Sequence, residues 1–258
     1  MLYGLYLSSQ GAQARSTQLD VIANNLANAD TTAFKRDLAL FQTHRSFDRE
    51  YGGSAHAPNF PGGLNDSAGG MTVAETRTDF GQGALEKTGG TLDVALSGPG
   101  FFRVNNGSEE MLSRDGRFAR NAAGDLITAD GGFHVLSSDG APIRLSSDST
   151  AIEIGDDGTI NERAVDGEIQ AVARLGIVAP ADRNAMQKAG DNLYRPLSEV
   201  GPVDADTRVM QGFVEGSGVN PVLETMRMIE ASRGFETNMN MIKFQDESLA
   251  RLLTAARP

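Results

Sequence analysis

The stretch at residues 19–36, LDVIANNLANADTTAFKR, decides how the front of this chain folds. Leu19, Ile22, Ala23 and Leu26 recur at helical spacing and mark an apolar face. Asp20, Asn24 and Asn28 follow at i, i+4 and i+8 and make a polar stripe beside it. Asn is a mediocre helix former, yet Asn24, Asn25 and Asn28 sit together just before a Thr31-Thr32 turn and the basic pair Lys35-Arg36. An amide carries donors and an acceptor at once, so it can bridge neighbouring backbone or side chains. A net hydrogen bond contributes only about 0.5–1.5 kcal/mol, but one left unmade when buried costs about 1–3 kcal/mol. The asparagines therefore read as groups that penalise a wrong helix register more than they strengthen the right one.

Working outward, Leu5, Ala12, Leu19 and Leu26 recur every seven residues, with Leu2, Ser9, Ser16 and Ala23 at the complementary positions. The far end of the chain repeats the pattern. Asn220 is a good N-cap and Pro221 suits the first helical position. Beyond them Met228, Phe235, Ile242 and Leu249 recur at seven, with Thr225, Ser232, Met239 and Leu253 beside the stripe. Each terminal helix thus carries a narrow seam of small and apolar residues and buries little area per turn. Each needs a partner, and the simplest partner is the other, paired as a coiled coil.

Between the ends the period changes from seven to two. The run TLDVALSG places Leu92, Val94 and Leu96 on one face. Turn pairs follow at Asn106-Gly107, Asp115-Gly116, Asp130-Gly131, Asp139-Gly140, Asp157-Gly158 and Asp166-Gly167, the dipeptides that tight hairpins favour. AIEIGDDGTI is the plainest hairpin, and AVARLGIVAP and RVMQGFVEG read as later strands. Glycine stands at 30 of 258 residues, well above the usual share of about 7%. Residues 46–70 hold three Gly-Gly pairs and two prolines and read as an extended connection. The expected fold is mainly β with terminal α-helices. Residues 1–36 and 216–258 form a helical part, 37–70 an arm, and 71–215 one antiparallel β domain.

The chain carries a net charge of −11 and no cysteine. The longest basic run is Lys35-Arg36, so a nucleic-acid footprint is absent. Disulfides, thiolate metal sites and cysteine nucleophiles are excluded. No window approaches the ~18–20 apolar residues of a membrane span, so no membrane insertion is expected. The start, MLYGLYLSSQGAQARS, has no basic n-region of a cleaved signal peptide.

Catalytic patterns are sparse. His44, His56 and His134 fall in no ligand spacing, so no metal site is expected. EGSGV lacks the nucleophile-elbow spacing, and GQGALE and GPGFFR lack the third glycine of a nucleotide loop. GDDGTINE lacks the ligand spacing of a calcium loop. Glu109-Glu110 and Asp156-Asp157 are the carboxylate pairs a glycan hydrolase would need, but adjacent strand residues point to opposite faces. No catalytic residue and no cofactor is expected. The rival reading is a secreted β protein acting on cell-wall glycan through a carboxylate such as Glu110.

GLYLSSQGAQARSTQLDVIANNLANADTTAFKR resembles the N-terminal signature of the flagellar axial family, the rod, hook and hook-associated proteins. Residues 209–253, VMQGFVEGSGVNPVLETMRMIEASRGFETNMNMIKFQDESLARLL, are similar to the C-terminal region of the same family. TLDVALSGPGFFRV looks like its strand pair entering the β domain. Ala33 stands where the family usually has Gly, and Gly218 where it often has Asn. The length matches the longer rod members, and VEGSGVNPVLETMRMIEASRGFE reads closer to the proximal than to the distal one. The resemblance implies a structural subunit of a hollow rod crossing the periplasm. It would be exported unprocessed through the flagellar type III apparatus, and its partners would be other rod proteins and copies of itself. The implied assembly interface is Leu5, Ala12, Leu19, Ile22, Asn24, Asn25, Leu26, Asn28, Phe34, Met228, Phe235, Met239, Ile242 and Leu249.

Overall fold

A computed structural model of the chain describes residues 2–43, 70–146, 149–165, 167–203 and 206–255. The expected arm at 46–70 lies outside these apart from Gly70, as do His44 and His56. The chain divides into two units. One comprises Met1–Ala27, Asp37–Asp79 and Asn220–Pro258, and the other Asn28–Arg36 and Phe80–Val219.

The first unit is built on two long helices, α1 (Leu2–Ala27) and α2 (Pro221–Ala255). Helix α2 starts where the sequence predicts. The Asn220 side-chain oxygen accepts from the backbone N–H of Val222 at 3.1 Å and Leu223 at 3.2 Å, satisfying two otherwise orphaned donors. The helices pack against each other, and glycines set how closely. A Cβ added to Gly4 would lie 2.9 Å from Gln245 Nε2, and one on Gly11 would lie 2.8 Å from Asn238 Oδ1. One on Gly234 would lie 3.0 Å from Arg15 Nε. These matches run in opposite directions along the two helices, so the pair is antiparallel.

The helix–helix seam differs from the expected one. On α1 the face toward α2 follows a 4-3-4-3 spacing through Gly4, Ser8, Gly11, Arg15, Gln18, Ile22 and Asn25, all buried or half-buried. On α2 it follows Glu224, Met228, Ala231, Phe235, Asn238, Ile242, Gln245 and Leu249. Met228, Phe235, Ile242 and Leu249 lie on it as predicted. Most of the complementary row does not, although Ser232 is half-buried. Ser9, Ser16 and Ala23 of α1 are exposed, and so are Thr225, Met239 and Leu253 of α2. The true complement is glycine, amide and charge, which a search for apolar heptads passes over.

Leu5, Leu19 and Leu26 are half-buried and Ala12 is buried on α1. The helix packs against a two-stranded antiparallel sheet of Asp37–Thr43 and Met71–Thr78, bulged between Leu40 and Phe41. Residues 37–43, expected as the start of an arm, are therefore a strand. Their partner, read as the first stretch of the β domain, belongs with the helices.

Among the described residues, the regular elements of the second unit are all strands apart from a short 3-10 turn at Arg183–Ala185. Every strand pairing in it is antiparallel. The largest sheet runs in the order Met186–Gly190, Leu193–Pro196, Glu110–Ser113, Phe101–Asn105, His134–Val135, Leu126–Thr128 and Phe118–Arg120. Ile177–Pro180 joins from the side, between Val200–Pro202 and Phe101–Asn105. AIEIGDDGTI is the predicted hairpin, with Ile154 opposite Ile160. Val94, Leu96, Phe102, Val104, Leu126 and Val135 anchor the main core, the inward positions of a period-two pattern. A second cluster stacks Phe80, Phe101 and Tyr194 edge to face, with centroids 5.3–5.8 Å apart.

Most Asx-Gly pairs are turns as expected, with φ of 91° at Gly107, 80° at Gly131, 83° at Gly140 and 84° at Gly158. Gly116 differs. Its φ is not positive, and a Cβ there would sit 1.6 Å from the Val94 carbonyl oxygen. It is a glycine of close backbone approach rather than of turn geometry.

Candidate functional site

The segment Asn28–Arg36 leaves α1 and folds back into the β unit as a strap. Its backbone is fastened at several points. The Ala33 N–H donates to the Glu215 carbonyl at 2.7 Å, and the Gly218 N–H donates to the Phe34 carbonyl at 2.8 Å. Ser217 Oγ donates to the Asn28 carbonyl at 2.9 Å. Asn192 Nδ2 donates to the Thr32 carbonyl at 2.9 Å. Asn192 is presented by a hairpin turn in which Asp191 and Asn192 both have positive φ, 48° and 56°, the geometry of a tight two-residue turn.

Ala33 itself has φ of 56° and is fully buried. It therefore adopts the left-handed conformation that glycine takes without steric cost. The alanine methyl is buried there at 1% exposure.

Side chains complete the clamp. Phe34 is buried, and Lys188 Nζ lies 4.4 Å from its ring centroid while donating to the Lys35 carbonyl at 2.6 Å. Lys35 is itself buried. Its Nζ donates to Glu215 Oε1 at 2.5 Å and to the Gly81 carbonyl at 2.8 Å. The same Glu215 oxygen accepts from the Gly83 N–H at 2.8 Å, and its Oε2 faces Arg114 Nη1 at 3.4 Å. Arg114 Nη2 donates to the Gly98 carbonyl at 2.7 Å, and its guanidinium lies 5.3 Å from the Phe101 ring centroid. Burial pulls the Arg114 pKa down, and the charge on Glu215 opposes that pull. One buried carboxylate thus serves two buried cations, and it sits on the strand Phe213–Glu215 that leads toward α2.

The predicted site residues separate into four groups. Ile22 and Asn25 are buried in the seam, with Met228, Phe235, Ile242 and Leu249 half-buried along α2. On α1, Ala12 is buried and Leu5, Leu19 and Leu26 are half-buried. Asn24 and Met239 are exposed. Asn25 carries a role the sequence did not reveal. Its Nδ2 donates to the Asp37 carbonyl at 2.8 Å, and its Oδ1 accepts from the Asp37 N–H at 2.9 Å. This amide closes the first strand onto α1 within one chain. Asn28 belongs to the strap, where its Oδ1 accepts from Thr31 Oγ1 at 3.2 Å. Asp20 and Asn24 are exposed on α1, and Asn28 lies just past its end.

The carboxylates a hydrolase would need are held by other groups. Glu110 receives two bonds from Arg103, at 2.6 and 2.7 Å. Glu109 is bound by Arg195, which keeps its pKa below the ordinary range. Asp157 accepts from Thr159 through both hydroxyl and backbone, which also lowers its pKa. A general acid must hold its proton near neutrality, and these lowered values work against that.

Sequence reasoning missed Lys35, Arg114, Asn192 and Glu215. Asp191-Asn192 was legible as a turn pair tolerant of positive φ. No local pattern marks Lys35 and Glu215, because their meeting depends on the whole sheet.

The strap is tied into the β unit by backbone bonds and a buried ion pair, and the two long helices pair antiparallel. Three family descriptions match the chain. "Flagella basal body rod protein" covers residues 5–35, "Flagellar hook protein FlgE/F/G D1 domain" covers 95–162, and "Flagellar basal body rod FlgEFG protein C-terminal" covers 210–255. The flagellar basal-body rod protein FlgG of Bacillus subtilis is 35% identical over the full length of both chains. The rod protein FlgF of Caulobacter vibrioides is 33% identical over 92% of this chain and 91% of its own. The hook protein FlgE of Treponema pallidum is 36% identical over 52% of this chain and 29% of its own. The chain belongs to the flagellar rod and hook family, as a structural protein and not an enzyme. Among the described residues, no helix is long and apolar enough to cross a membrane.

Proposed function

We propose that the chain is a subunit of the flagellar basal-body rod that polymerises through its terminal helices into a hollow driveshaft. The helices would pair as coiled coils with those of neighbouring copies and of other rod proteins. The β unit would form an outer layer. The chain would pass unprocessed through the flagellar type III apparatus and assemble in the periplasmic space, where the rod transmits torque and admits later subunits. The observation that carries this reading is the outer surface of α2, which leaves Val222, Leu223, Met226, Ile229 and Phe244 exposed. A solitary subunit has no use for such a face, whereas a packed tube covers it.

Within the rod, we favour the proximal, FlgF-like position. It is supported by the run VEGSGVNPVLETMRMIEASRGFE, which reads closest to that member. The distal, FlgG-like position is favoured by the full-length match to the Bacillus protein. Labelling the subunit in purified basal bodies and imaging its axial height distinguishes the two. A label near the membrane-proximal end is expected, and one adjoining the hook would assign the distal position. A label absent from basal bodies would defeat the rod reading.

A further inference from the structure

The two helices present opposite kinds of outer surface. On α2, Val222, Met226, Ile229 and Arg233 follow at i, i+4, i+7 and i+11 and form one ridge. Val222 is 68% exposed, Met226 63% and Ile229 50%. Leu223, Arg227 and Glu230 flank it, and with Met226, Ile229 and Arg233 they line an open groove of about 450 Å³. On α1 the outward stripe is Ser16, Asp20, Ala23 and Ala27, every member exposed. It is small, carries one acid and offers no apolar bulk of its own.

We propose that the α2 ridge docks on the outer α1 stripe of a second copy of this chain. The contact is heterologous, so each copy has one ridge and one receiving stripe free to propagate. The proposal rests on the rod reading for one point: copies in a polar tube share a direction. Because α1 and α2 are antiparallel within the chain, they are then antiparallel between copies as well. Read backwards, Ala27, Ala23, Asp20 and Ser16 have the same 4-3-4 spacing as Val222, Met226, Ile229 and Arg233. That register sets Val222 on Ala27 and Met226 on Ala23, where small side chains leave room for large ones. It sets Ile229 on Asp20 and the exposed Arg233 on Ser16, one turn from Asp20, a distance the long Arg233 side chain spans to put opposite charges across the contact. Met226 suits such a contact, because an unbranched thioether adapts to an imperfect hole. An α2–α2 contact would instead bring Arg233 close to its own copy.

The chain has no cysteine, so engineered thiols report without background. Full-length Ala23→Cys and Met226→Cys variants, concentrated and oxidised together, are expected to give a mixed disulfide dimer. The chain bearing both substitutions is expected to give a ladder of multimers. Asp20→Arg should cut cross-linking at least tenfold, and Asp20→Arg combined with Arg233→Asp should restore most of it. Self-linking of Met226→Cys as efficient as the mixture would establish an isologous contact and overturn the proposal, and so would absence of any mixed product. Labelling in basal bodies tests the rod reading separately. A subunit present in the rod without the cross-link removes only this surface. A cross-link from a subunit absent from the rod removes only the rod assignment.

Discussion

Lys35 and Glu215, 180 residues apart in the sequence, form an ion pair in which both side chains are 1% exposed. Arg114 approaches the other carboxylate oxygen at 3.4 Å. Removing the carboxylate strands two buried cations, and breaking such a pair costs about 3–5 kcal/mol. Glu215→Gln should therefore lower the unfolding free energy of the β unit, read from urea denaturation, by an amount in that range. Lys35→Met leaves Glu215 with Arg114 and the Gly83 N–H, and should cost less. Equal losses for the two variants would show that Arg114 contributes nothing to holding Glu215.

Asp115 lies beside this clamp, where it accepts from Thr32 Oγ1 at 3.3 Å and from the Arg117 N–H at 3.1 Å. Burial is the largest influence on its carboxyl and raises its pKa, while Arg117 opposes the rise and Asp130 adds to it. The folded chain therefore keeps this proton to higher pH than the unfolded chain does. The contribution to stability is present in full below the ordinary carboxylate pKa and is lost as pH rises through the folded value. Comparison of wild type with Asp115→Asn between about pH 3 and about pH 7 should show the wild type gaining relative stability as pH falls. A gain on raising the pH would contradict the assignment.

Asn24 and Asn25 are adjacent, yet only Asn25 is buried. Asn25→Ala leaves the Asp37 N–H and C=O without their partner and should cost about 1–3 kcal/mol. Asn24→Ala should change stability by less than about 0.5 kcal/mol. Hydrogen exchange at the Asp37 amide reads the difference directly, with fast exchange expected in the Asn25 variant alone. An Asn25→Leu chain that failed in motility would thus be defective in its own fold before any contact with neighbours.

The contrast between these two residues also marks what could be read in advance. Helix positions, the Asn220 cap and the 154–160 hairpin follow from local spacing and turn chemistry, and all appear in the chain alone. The apolar half of the α2 seam was legible because Met228, Phe235, Ile242 and Leu249 repeat at seven. The other half was not, because Gly4, Gly11, Asn238 and Gln245 contribute by fitting closely rather than by being apolar. The Asp37–Thr43 strand was hidden because its partner lies beyond a long glycine-rich stretch. The Lys35–Glu215 pair was hidden because burial of charge is decided by tertiary packing.

The glycine seam can be tested by a double-mutant cycle. A methyl on Gly11 meets Asn238 Oδ1 at 2.8 Å, while Asn238 Nδ2 donates to the Gly234 carbonyl at 2.9 Å. Gly11→Ala should cost about 1–3 kcal/mol through overpacking. In an Asn238→Ala background the same change should cost much less, because the obstructing amide is gone. Coupling of about 0.5–3 kcal/mol is expected for residues in contact. Additive effects, measured by loss of helical circular dichroism on heating, would mean that the helices do not meet at this point.

The last expectation concerns which parts of a lone subunit hold together. The described side chains of α2 that are buried are only Glu224 and Ala231, so the helix has little apolar area to offset the entropy of ordering 35 residues. The strap is different, because it is fixed by backbone bonds to Glu215 and Gly218 and by the Lys35 pair. Brief proteolysis of the monomeric full-length chain should therefore cut first within 2–27 and 221–255, through local opening of a marginally stable helix pair, while residues 28–36 stay bound to the 80–219 core. Mass spectrometry of the resistant material under native conditions should recover that peptide with the core. In Glu215→Gln the peptide should be lost along with the helices. Resistance of both helices in a proven monomer would show that they need no neighbour to remain folded. Loss of 28–36 from the wild-type core would show that the clamp is too weak to outlast them.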